Sequence, residues 1–362
     1  MVKTANLRNG NDAPTVAFPV VFPLTGTGCP ITVSIPRGIR SDLRYPFSMQ
    51  YNVTIEHERW KNGFRLSYIG ANTRQGLWTY NISQPVADTR AYVDKPRMFP
   101  KYPAINYQTN GSGHQYHSLT AEAKRRMAQG LYYQGSWVWA RDIEDGSPEN
   151  AYDRRRERGV VDVITPTHRI TANFIYELPF GKGKPFAAGV NRWLNLLIGG
   201  WELDGIYGYH SGQFLTPSWS GPDPTGTAYT TSRTPAQVTV RPNIPRDPNL
   251  PGDQRTIRRW FDASAFSAPS PGSFGTSSIG AIKGPWSNNW NAGFVKNFPV
   301  SERARVRWEM TATNIFNHPN WSNPATNISA PTQAGVITGV GGVADYDGSS
   351  AREFRMGVRL EW

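Results

Sequence analysis

The chain of 362 residues carries 39 Lys and Arg against 27 Asp and Glu, a formal charge of +12, with 38% hydrophobic residues. Mean hydropathy is −0.52, and no run approaches the ~18 apolar residues that a membrane helix requires, which excludes a helical membrane protein. A membrane β-barrel stays open, because only every second residue of its strands meets lipid and the average hides it.

The longest apolar patches, VAFPVVFPL (16–24) and WLNLLIGGW (193–201), are interrupted by Pro or Gly. Gly 35 and Pro 29 together favour strands and turns. The opening MVKTANLRNGND has no apolar core of a signal peptide, and the lone Cys29 forms no internal disulfide. The basic balance suits nucleic acid, acidic glycan or anionic lipid headgroups.

A period of two, the mark of a strand with two different faces, recurs nine times. After an N-terminal loop segment, 1–45, it begins at 47–58, where Phe47, Met49, Tyr51, Val53 and Ile55 alternate with polar residues. It returns at 63–70 (Phe64, Leu66, Tyr68), 115–127 (Leu119, Ala121, Ala123) and 130–141 (Leu131, Tyr133, Trp137, Trp139). Next come 168–178 (Ile170, Ala172, Phe174, Tyr176) and 200–211 (Trp201, Leu203, Tyr207, Tyr209). The last three are 289–298 (Trp290, Ala292, Phe294, Phe298), 302–314 (Val306, Trp308, Met310) and 352–362. The final segment puts Phe354, Met356, Val358, Leu360 and Trp362 on one side and ends on the Trp.

The connections alternate. RWKN (59–62), AQG (128–130) and PVS (299–301) are short, whereas 71–114, 142–167, 212–288 and 315–351 are long. Short turns at one end and long loops at the other are the layout of an outer-membrane barrel, all-β and antiparallel, with periplasmic turns and extracellular loops. The last strand then runs down to the periplasm. Trp201, Phe298 and Trp362 fall at the lower girdle, and Tyr209, Trp290 and Trp139 at the upper. On the polar face Glu361 is placed to meet Arg303 or Arg305, and Arg355 to meet Glu309. The link 179–199 carries Val190, Trp193, Leu194 and Leu197 at helical spacing, a short amphipathic helix for the membrane surface or the barrel rim.

At this point YPFSMQYNVTIEHE, LSYIGANTR, YHSLTAEAKRRMAQGLYYQGSWVWARDI, THRITANFIYELPFGKGK, GGWELDGIYGYHSGQFLTP, WFDASAFSAPSPGSFG and NIFNHPNW stand in one order along about 40–362. In that order they resemble the C-terminal barrel of Oar-like TonB-dependent receptors. Trp362 stands where that family more often ends in Phe, and Trp321 where Phe is usual. The resemblance implies an outer-membrane transporter whose full barrel has about 22 strands, preceded by a signal peptide, a β-sandwich and a plug. Residues 46–362 would be the C-terminal part of such a barrel, with an unidentified substrate. The implied partners are outer-membrane lipid and lipopolysaccharide, the outer-membrane assembly machinery, and the TonB complex through the absent N-terminal part. Phe354, Met356, Val358, Leu360 and Trp362 would be insertion signal and lipid-facing stripe at once.

Sites for chemistry are few. His114 and His117 in HQYH lack further ligands nearby, FGKGK (180–184) lacks phosphate-loop spacing, and DYDG (345–348) lacks the distal Glu of a calcium loop. No catalytic set, metal or cofactor is expected. RRRER (154–158) and RTIRRW (255–260) fall in two long loops, which makes Arg154, Arg155, Arg156, Arg258 and Arg259 candidate contacts for an anionic ligand. Nucleic acid is not expected, because the aromatics follow strand period instead of clustering with the bases. Two other classes remain at this stage: a soluble or secreted β-rich glycan-binding protein, and a glycan hydrolase.

Overall fold

The computed structural model describes residues 36–146, 148–160, 166–301, 304–341 and 351–362. Nine long strands form one antiparallel meander in chain order. They are β1 Phe47–Arg59, β2 Asn62–Asn81, β3 Asn106–Ala128, β4 Leu131–Asp145 and β5 His168–Glu177. They continue as β6 Trp201–His210, β7 Ser287–Pro299, β8 Arg305–Thr313 and β9 Glu353–Glu361. Among the described residues one α-helix, α1, spans Arg192–Ile198 between β5 and β6.

Register carries the apolar side of each strand onto the same face of the sheet. One row reads Ile55, Leu66, Ala121, Trp137, Ile170 and Tyr209 across β1 to β6. Another reads Tyr176, Leu203, Phe294, Met310 and Met356 across β5 to β9. The opposite face pairs Glu56, Arg65, Glu122, Ser136 and Thr171 in one row. Arg65 donates to Glu56 at 2.7 Å and lies 3.5 Å from Glu122, and the Ser136 and Thr171 hydroxyls are 2.7 Å apart.

The apolar face is not covered by protein. Val53 and Ile55 are 64% and 65% exposed, Met356 and Val358 70% and 72%. A belt of that size does not stand in water; it needs a lipid or protein partner. That weighs against a soluble glycan-binding sheet.

Turns and loops sort by end of the sheet. At one end Trp60 and Lys61 (φ 51° and 63°) and Gln129 and Gly130 (φ 55° and 78°) form two-residue turns with left-handed residues at both central positions. Such turns match the right-handed twist of the flanking strands. A Cβ on Gly130 would stand 3.0 Å from the Glu177 carbonyl oxygen, so the turn is also tight against β5.

Three readings of the sequence change. β2 and β3 extend well past 70 and before 115, so the loop expected at 71–114 shrinks to 82–105. Residues NTRQG and NYQTNGSG are polar on both faces and lack the period of two. At ~3.3 Å per residue, β3 is on the order of 75 Å long, against roughly ten residues for a crossing. Its upper half therefore stands beyond the bilayer, where both faces are wet. Within 1–45, Arg37–Ile39 form a strand parallel to the start of β3. Arg355 does not reach Glu309: Gly357 stands opposite Glu309, so Arg307 approaches Glu309 and Arg355 approaches Glu353, each at 3.5 Å. Glu361 pairs with Arg305, its partner in register, as expected. Arg303, Cys29, the 16–24 patch and DYDG lie outside the described residues.

Candidate functional site: a clasped cap of long loops

The buried hydrophobic cluster lies in the long loops. Trp260, Phe261, Phe266, Ile282, Ala334 and Ile337 form it, with Leu215, Ile244, Trp321 and Ile328 packed around. Trp260 Nε1 donates to the Lys283 carbonyl at 2.8 Å, which satisfies its one polar atom. Two short antiparallel pairs, Trp219–Pro222 with Gln237–Val240 and Phe214–Leu215 with Ile282–Lys283, frame it. The loops 211–286 and 314–341 thus build a cap over the long-loop end.

Buried charges clasp this cap to its neighbours. Arg241, 4% exposed, donates to both oxygens of Glu149 (backbone N–H 2.8 Å, Nε 3.1 Å), to the Arg156 carbonyl at 2.9 Å and to Glu157 at 2.7 Å. Glu157, only 1% exposed, also faces the backbone N–H groups of Glu149 and Asn150. Burial pushes its carboxyl above the usual range, although Arg241 pulls it down. A Cβ on Gly275 would fall 2.0 Å from the Arg241 carbonyl oxygen, so only Gly allows that approach. A second clasp is Lys95, whose ammonium donates to the carbonyls of Thr225 at 2.6 Å, Val86 at 2.9 Å and Asp88 at 3.1 Å. It joins loop 82–105 to loop 211–286.

Exposed ion pairs complete the cap. Arg246 donates to Asp262 at 2.8 Å, and with Ser264 it holds that carboxyl down at about 2. Arg90 likewise holds Asp88 well below the usual carboxylate range. Both contributions are present above the unfolded value near 4. They are lost as pH falls through the depressed folded value. The cap is therefore expected to loosen between about pH 4 and 2, followed by Trp fluorescence on acid titration. Arg246→Gln should remove most of the Asp262 share of that loss, because its folded value then rises toward the unfolded one.

The candidate arginines divide by role. Arg156 is tied to Glu149 at 3.3 Å and lies over the Phe274 ring at 5.4 Å, so it belongs to the clasp. Arg259 approaches Asp262 at 3.5 Å. Arg154, Arg155 and Arg258 are exposed. The composition of RRRER contained the missed signal: its one acidic residue, Glu157, is the buried one.

His114 and His117 fall on opposite faces of β3, as residues three apart in a strand must. His114 pairs with Asp142, and His117 receives or donates a bond with the Tyr68 hydroxyl at 2.9 Å. Among the described residues no group of three His, Cys, Asp or Glu side chains is placed to hold a metal. FGKGK turns the chain, with Gly181 and Gly183 at φ 107° and 76°.

Along the edge strand β9 and just past its end, Phe354, Met356, Val358, Leu360 and Trp362 are all exposed on the apolar face, Trp362 by 90%. Lys296 interrupts that face and was passed over in the sequence, where it breaks the run Phe294–Phe298. It is 2% exposed, and its ammonium donates to the Leu197 carbonyl at 3.2 Å and to that of Gly199. The aromatic rings of Trp201 and Phe298 lie 4.9 and 5.3 Å from it. The free carbonyls at the end of α1 thus satisfy a charge that lipid would reject.

A family model described as "Outer membrane beta barrel domain" matches residues 1–354. No curated protein matches. Among solved structures, the chain is similar at 9% identity to the FrpB iron transporter from Neisseria meningitidis (TM-score 0.38), covering 90% of this chain and 32% of that one. It is similar to FpvA of P. aeruginosa bound to a heterologous pyoverdine–iron complex (9% identity, TM-score 0.40, 87% and 27% covered). The outer membrane transporter YddB from Escherichia coli gives 9% identity and TM-score 0.41, with 91% and 34% covered. The chain spans about a third of the length of these transporters.

Proposed function

We propose that this chain, which belongs to the family of outer membrane beta barrel domains, is the C-terminal part of a TonB-dependent transporter barrel. It lies in the outer membrane. The observation that carries the finer reading is the pair of sheet edges. Among the described residues β1 pairs only with β2 and β9 only with β8. Bilayers do not accept an open edge, since every backbone N–H and C=O must be satisfied. Nine strands with free edges on both sides therefore call for further strands to close the wall, as in a barrel of about 22.

In this reading a substrate meets the clasped loops outside and passes along the polar face. TonB acts on a plug that belongs to the N-terminal part. Arg154, Arg155 and Arg258 serve as contacts for lipopolysaccharide phosphates or an acidic substrate. The work is binding and passage, with no bond made or broken.

The test is the native protein. Purified from outer membranes, it should exceed 40.4 kDa, and the isolated 362-residue chain should give no defined single-channel steps in planar bilayers. Regular steps from the isolated chain would overturn the partial-barrel reading. The terminal Trp362 should act as part of the signal to the assembly machinery. Trp362→Ser in the full-length protein is expected to lower the heat-modifiable, assembled fraction several-fold, while Trp362→Phe retains it. Equal assembly of both variants would remove that role.

A further inference from the structure

The link between β5 and β6 forms a collar at the periplasmic end, and its placement is unusually well fastened. The Asn191 side chain caps α1 by accepting from the Leu194 N–H at 2.8 Å. The Lys182 N–H donates to the Asn195 side chain at 2.6 Å, and Trp201 Nε1 donates to the Leu197 carbonyl at 2.9 Å. Lys296, described above, holds the far end of the helix against β7. So fixed, the helix leaves Trp193 and Leu197 80% and 69% exposed. They stand beside the lower girdle, where the Trp201 and Trp308 rings meet edge to face at 6.2 Å.

Between this collar and the β7–β8 turn lies a cleft of about 410 Å³, lined by Lys182, Val190, Arg192, Asn195, Val300 and Ser301. The collar's third cation, Lys184, is neutralised by Glu177 at 2.6 Å. Among the described residues, Lys182 and Arg192 have no acidic partner for their side chains. Two cations without an acidic partner among the described residues, with Val190 beside them on the collar and Val300 across on the turn, match a ligand with an anionic head and apolar tails.

We propose that this cleft holds the phosphate of an anionic phospholipid from the periplasmic leaflet. Lys182 and Arg192 donate to the phosphate oxygens, and the acyl chains run past Val190 and Val300 into the apolar belt. Inorganic phosphate would make no use of Val190 and Val300, and a zwitterionic headgroup would bring its own cation against the two already there. The proposal rests on the membrane placement of the barrel, not on its transport role.

The test uses the full-length protein purified from outer membranes and titrated in detergent with phosphatidylglycerol or phosphatidylcholine, with bound lipid counted by native mass spectrometry. Wild type should retain phosphatidylglycerol preferentially. Lys182→Gln with Arg192→Gln should weaken that binding on the order of 10-fold to 100-fold, as loss of two charge-assisted contacts predicts. Lys184→Gln, whose charge is already paired, should leave it unchanged. Heat-modifiability of each variant checks that the barrel is assembled. Undiminished phosphatidylglycerol binding in the double variant would overturn the cleft while leaving the membrane placement intact. So would displacement of the lipid by millimolar inorganic phosphate. Retention of neither lipid by wild type would overturn the cleft, whereas the membrane placement would fall only if the protein were absent from the outer-membrane fraction.

Discussion

Arg241→Ala is expected to cost the extracellular cap about 3–5 kcal/mol, the range for removing one partner of a buried ion pair. The guanidinium is buried against two carboxylates, Glu149 and Glu157, and a backbone carbonyl. Its removal leaves Glu157, 1% exposed, with Arg156 at 3.9 Å as its nearest remaining cation. The sign of the pH effect follows from that burial. Burial already raises the Glu157 carboxyl, and loss of Arg241 raises it further. Glu157 can then protonate, so the penalty should shrink as pH falls through its raised folded value. Limited proteolysis of loops 146–167 and 211–286, read at neutral and mildly acidic pH, measures both effects. Glu157→Gln in the Arg241→Ala background should recover part of the loss. A cap equally protected in wild type and Arg241→Ala would show that the clasp carries little of its stability.

Met310→Arg should cost about 2–4 kcal/mol, the range for Arg on the lipid face at the bilayer midplane. Met310 sits midway along β8, on the apolar row with Leu203, Phe294 and Met356. Asn173→Arg, exposed in the middle of β5 on the polar face, should cost little, because a water-filled interior solvates the charge. Urea unfolding in lipid vesicles, followed by heat-modifiable migration, separates the two. Equal penalties would mean that the faces are not lipid and water. Lys296 marks the exception that explains the rule. It is tolerated on the apolar face because α1 brings two carbonyls to its ammonium.

All nine strands were legible because a bilayer acts on each one separately. Lipid on one side and water on the other impose a period of two inside a single segment, with no need of the rest of the chain. The parity of short and long connections followed from the same pattern; it left Glu361 to Arg303 or Arg305, and register gave it Arg305. Legibility ended where that constraint ended. The upper halves of β2 and β3 are wet on both faces and lost their period, and Arg355 was assigned to Glu309 before the register was known.

What the sequence determined by itself is therefore the wall: strand number, strand faces, the ends at which turns and loops lie, and the short helix between β5 and β6. What only tertiary structure decided is everything that closes over or fastens onto that wall. Lys95 meets the Thr225 carbonyl across 130 positions, and Arg241 meets Glu149 across 92. Lys296 finds the end of α1 across 97. No local period encodes such meetings. Their partners are carbonyls and carboxylates whose value appears only when burial removes water from the charge they meet.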